Sequence, residues 1–206
     1  MAGLRVHGIV AGALVLLVGC APMAGDAPAP SASGASDLPA ASALPGLPDD
    51  TLPGYVVHRT GLDAAILARD ALAPAELEAL LREAGFEDGI EGRFTARRRR
   101  LTEVVARVLR FGDAGGASAY LAWFATHGED LLGSQTQPAE APGSLDGGVA
   151  FSHGVCDGCT KDTFQYVVAW TRGSYAITLR VGGPAAGPRT AEPLAAVLDE
   201  QVAAGG

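Results

Sequence analysis

Two cysteines held two residues apart, Cys156-Asp157-Gly158-Cys159, are the residues of this chain whose type and spacing best suit chemistry. Thiols at that spacing can exchange disulfides when a helix N-terminus or a nearby cation stabilises the thiolate. Here Thr160-Lys161-Asp162 follows Cys159 and leads into a strand pattern, so only Lys161 and His153 offer charge. His153, Cys156 and Cys159 also form a ligand set that suits zinc or cuprous copper, with His58 or His127 as a fourth ligand brought from elsewhere in the fold. Haem attachment is a weaker reading still, because Thr160 stands where that motif needs histidine. The second chemical feature is the run Arg97-Arg98-Arg99-Arg100, with Arg93 behind it, an anion-binding candidate for lipid headgroups or envelope polymers. Its plainer reading is a solvated loop. Nucleophile elbows, phosphate-cradling loops and HExxH motifs do not occur, and the carboxylates Asp130, Glu140 and Asp146 are not paired for acid–base work. Tyr120, Trp123, Tyr166 and Trp170 could line a ligand cleft, but core packing is the favoured reading and needs no further explanation. Neither catalysis nor a cofactor is expected.

The third cysteine has a different setting. Arg5 precedes an apolar run from Ile9 to Val18, too short to span a bilayer, which ends in Leu17-Val18-Gly19-Cys20. This order of charge, apolar run, small residue and cysteine resembles the lipobox leader of bacterial lipoproteins. The resemblance implies removal of residues 1–19, a diacylglycerol thioether on Cys20 and acylation of the new amine, commonly with palmitate. The product would be held at the extracytoplasmic face of a cell membrane without spanning it, since two or more acyl chains anchor stably where one does not. In that oxidising compartment, with Cys20 committed to lipid, Cys156 and Cys159 are expected to form a disulfide that shapes a turn. From Cys20 to residue 50 the chain is rich in Ala, Pro, Ser and Gly and reads as a disordered linker.

Residues 51–206 have the length and apolar content of a single globular domain. The net charge of -8 argues against a nucleic-acid partner. Helices are expected over Ala75–Ala84, from Asp113 to near Gly128, and over Pro193–Ala204, each with one apolar stripe. Alternation predicts strands over 164–171 and 175–181 joined by Arg172-Gly173-Ser174, with Val149–Val155 as a preceding strand of the same antiparallel meander. Leu101–Phe111 fits helical spacing too, but its valines favour a strand. The expected fold is α+β, an antiparallel sheet with about three amphipathic helices packed on one face. Ala84-Gly85-Phe86, Phe111-Gly112-Asp113 and the Trp170–Val181 hairpin resemble pieces of exported bacterial domains. Such a chain is expected to be a lipid-anchored, non-catalytic binding or envelope-assembly module for an envelope protein or small ligand. Thiol redox or metal handling through Cys156 and Cys159 is the alternative.

Overall fold

Alternation in the Phe164–Val181 region does produce a hairpin: β6 (Gln165–Arg172) and β7 (Tyr175–Gly182) pair antiparallel around Gly173, whose φ of 57° suits a residue without Cβ. They belong to a computed structural model that describes residues 44–69, 71, 73–132, 136–154 and 164–205, all within a compact unit spanning Asp37–Gly206. Cys20, Cys156 and Cys159 lie outside the described residues, as does Val155. The remaining strands are β1 (Val56–Leu62), β2 (Phe86–Thr95), β3 (Glu103–Phe111), β4 (Thr136–Ala139) and β5 (Val149–His153). Together they form an antiparallel sheet in the order β1-β2-β3-β7-β6-β5-β4. The valine-rich segment is thus strand β3, and the meander of β5, β6 and β7 is as expected.

The helices are α1 (Ala64–Arg69), α2 (Pro74–Glu83), α3 (Ala114–Leu132) and α4 (Pro188–Gly205). Each begins where local chemistry allows it. Asp63 accepts from the Ile66 N–H at 2.7 Å and Asp113 from the Gly116 N–H at 2.8 Å, while α2 and α4 open on proline, which has no N–H to leave unsatisfied. α3 continues through Gly128 instead of ending there, because a Cβ at this position would strike the Phe151 ring, so the glycine serves close packing and not termination. α4 starts at Pro188, five residues before the Pro193 expected to open it, and carries Pro193 inside its first two turns.

The α+β architecture is as expected, and α1, α2 and α3 do share one sheet face. The C-terminal helix does not join them. Leu194, Ala195, Leu198 and Val202 of α4 pack with Val104, Val108, Val168 and Ile177, whereas Leu77, Leu81, Ala117 and Phe124 pack with Leu109, Phe111, Val167 and Ala176. Alternate residues of β3, β6 and β7 therefore feed two separate cores. The folded domain also begins earlier than residue 51: Leu44 and Leu47 are buried in the α4-side core, and Arg59 donates to the Leu47 carbonyl at 2.6 Å. Two isolated leucines in a proline-rich segment escape a compositional criterion. Among the described residues, no helix is long and apolar enough to cross a membrane.

Candidate functional site

The run of four arginines falls in the turn that joins β2 to β3, closed by a hydrogen bond from the Ala96 N–H to the Thr102 carbonyl at 3.0 Å. All four are exposed, and Arg98 takes a left-handed φ of 61°, unusual for a residue with a Cβ. The turn separates them. Arg99 and Arg100 line a cleft of about 880 Å³, whose opposite wall is the segment Pro184–Thr190 that leads into α4. Arg189, in the first turn of that helix, is the third guanidinium of the lining. None of the three has an ion-pair partner among the described residues.

The walls are pinned together by backbone. Thr102 donates to the Gly182 carbonyl at 2.8 Å, Ala185 to the Arg100 carbonyl at 2.9 Å, and Gly183 to the Phe164 carbonyl at 2.8 Å. Gly183 has φ 119°, and a Cβ there would come within 2.9 Å of both the Arg100 carbonyl oxygen and the Thr102 nitrogen, so only glycine lets β7 leave the sheet beneath the turn. Tyr55 closes the cleft by donating to the Leu101 carbonyl at 2.7 Å. Burial pushes its phenol above the usual value, against the opposing pull of Arg99. The Thr190 hydroxyl is likewise engaged, with the Ala185 and Gly187 carbonyls at 2.6 and 2.9 Å.

Three guanidiniums and the positive end of an eighteen-residue helix thus converge on a cleft whose lining, among the described residues, contains no carboxylate, histidine or cysteine. Such a lining can bind an oxyanion by charge-assisted hydrogen bonds. Arg189 was missed in the sequence because it is separated from the run by about ninety positions; the Gly187-Pro188 break ahead of a helical pattern is the signal that points to it.

The other residues singled out by type are dispersed. His153 lies on β5 with its Nδ1 at 3.4 Å from the Thr136 hydroxyl. His58 lies on β1, five strand spacings away, about 24 Å at ordinary sheet geometry, so it cannot complete a ligand set with His153. His127 on α3 stacks on Trp123 at 4.8 Å and holds the Trp123 carbonyl at 3.0 Å. Among the described residues, no group of three potential ligands gathers around a metal-sized space. Tyr120, Trp123, Tyr166 and Trp170 are all core residues and none lines the cleft. Glu140 contributes its carbonyl to the Tyr166 hydroxyl at 2.7 Å, Asp146 sits in the turn before β5, and the Asp130 side chain lies outside what is described.

The class that fold and site define is an α+β protein, one antiparallel sheet between two helical layers, with an arginine-lined cleft at one end. No protein-family model matches the chain, and no curated protein does. Among solved structures it is similar to the extracellular domain of PknH from Mycobacterium tuberculosis, with a TM-score of 0.49, 10% identity, and coverage of 73% of this chain and 82% of that one. At that level of likeness neither fold nor function transfers.

Proposed function

We propose that this chain is a lipid-anchored extracytoplasmic protein whose folded domain is a non-catalytic binding module, and that the cleft between the β2–β3 turn and α4 is where it takes an anionic group. The observation that carries this reading is the set of unpaired guanidiniums, Arg99, Arg100 and Arg189, on one concave surface of an acidic protein. Three adjacent cations without counterions repel one another, and a bound oxyanion removes that repulsion while accepting their hydrogen bonds. The anchor follows from Cys20 and its leader. Pro45, at the start of the described chain, sits against Gly205 at the C-terminal end of α4, whereas the cleft lies at the N-terminal end, about 27 Å along the helix axis.

Titration of the whole chain in detergent with inorganic phosphate, against sodium chloride of equal ionic strength, tests the site through the arginine Nε–H resonances. Saturable shifts at Arg99 and Arg189 are expected, weakened about tenfold or more by Arg99→Gln or Arg189→Gln, the loss of one charge-assisted hydrogen bond. Equal responses to phosphate and chloride would overturn the binding reading. Intact mass tests the anchor: a chain retaining residues 1–19, or an unmodified Cys20 thiol, would overturn it.

A further inference from the structure

The other face of the same strands carries a ring of polar side chains. Glu91, Arg107 and Thr178 stand opposite one another on β2, β3 and β7; the next row holds Arg93, Val105 and Arg180; Glu103 follows on β3. Six polar residues thus surround Val105, which is 3% exposed. Around this ring the charges alternate through contacts of 2.7 Å (Arg107–Glu91), 3.1 Å (Glu91–Arg93), 2.8 Å (Arg93–Glu103) and 2.9 Å (Glu103–Arg180). The series ends on an arginine at both ends, and the residue between those ends is neutral Thr178.

Arg107 is engaged only through Nε and Arg180 only through one Nη, so among the described residues their other guanidinium N–H groups have no partner. Both arginines remain about one-third accessible, and Thr178 makes no hydrogen bond with its hydroxyl among the described residues. Three arginines against two glutamates leave one excess positive charge. We propose that this ring is a second anion site, distinct from the cleft, in which a carboxylate bridges Arg107 and Arg180 over the Thr178 hydroxyl and completes the alternation. Burial, with the repulsion of Arg107 and Arg93 and against the pull of Glu103 and Glu91, holds Arg180 below the usual arginine value. A single negative charge neutralises the ring, whereas a dianion would overcompensate it.

Arginine Nε–H spectra of the whole chain in detergent, titrated with sodium acetate against sodium chloride of equal ionic strength, read this site directly. Acetate is expected to shift Arg107 and Arg180 saturably, with the response unchanged in the Arg99→Gln/Arg189→Gln variant. Arg107→Gln should weaken it about tenfold, and Thr178→Val, which keeps the shape and removes the hydroxyl, about threefold. Identical shifts with acetate and chloride would show the ring to be a structural ion-pair ladder and overturn the proposal. So would tighter binding of inorganic phosphate than of acetate, or an Arg180 response of undiminished affinity in Arg107→Gln.

Discussion

Glu91 shows how one buried charge is tolerated. Burial by itself would raise its pKa, but the adjoining Arg107 and Arg93, through charge and hydrogen bonds, hold it below the ordinary carboxylate value. A depressed folded-state pKa means that Glu91 stabilises the fold above the unfolded carboxylate value, near 4.5, and that this contribution disappears as pH falls through the folded value. Glu91→Gln should cost about 1–2 kcal/mol at pH 7, less than a fully enclosed pair because Arg93 and Arg107 are 40% and 31% exposed, and progressively less at a pH below 4.5. Urea denaturation of both proteins across that pH range checks this. Tyr166 behaves in the opposite sense: burial, then Glu140 and Glu192, push its hydroxyl up to about 12. The neutral phenol is therefore stabilising below the unfolded value of 10, and this is lost as pH rises towards 12. Tyr166→Phe removes the bond to the Glu140 carbonyl and should cost about 1 kcal/mol near neutral pH while flattening the alkaline limb of the stability profile.

Helix-interior glycines bring out a constraint that propensity alone would invert. Replacing an interior glycine by alanine ordinarily stabilises a helix by about 1 kcal/mol. In α3 the sign reverses at two positions: a Cβ on Gly116 would run into the Ala84 carbonyl at the end of α2, and one on Gly128 into the Phe151 ring of β5. Gly116→Ala and Gly128→Ala should each destabilise by about 1–3 kcal/mol, the usual cost of overpacking, measured as a fall in the urea midpoint at constant m. These two contacts also explain why α3 was legible only in part. Its start is set by the Asp113 cap three residues before Gly116, a local signal; Gly128, which reads locally as a stop, is instead a close-packing position against the Phe151 ring. Strands β1, β2 and β4 were not anticipated either. β1 is a sparsely buried edge, with Val56 59% exposed, and β2 interleaves Ile90 and Phe94 with glycine and charged residues, so neither has the plain alternation of β6 and β7.

For the whole molecule, the segment preceding β1 is part of the domain and not of the tether. Leu47 is fully buried, and Leu47→Ala should cost about 2–5 kcal/mol as a core cavity; a residue in a solvated linker would show no change, so thermal unfolding separates the two cases. The arginine run, the proline that opens α2 and the β6–β7 hairpin are all readable from the chain, because each depends on neighbours a few positions apart. Tertiary structure alone decided that α4 covers the face opposite α1–α3, since both faces of β3, β6 and β7 contribute apolar residues to a core and alternation does not say which helix takes which. It alone also brought Arg189 to Arg99 and Arg100, and arranged Arg107, Arg93 and Arg180 around Val105. Strand register and chain reversal bring distant positions within hydrogen-bonding reach, and no local pattern in the chain records which ones will meet.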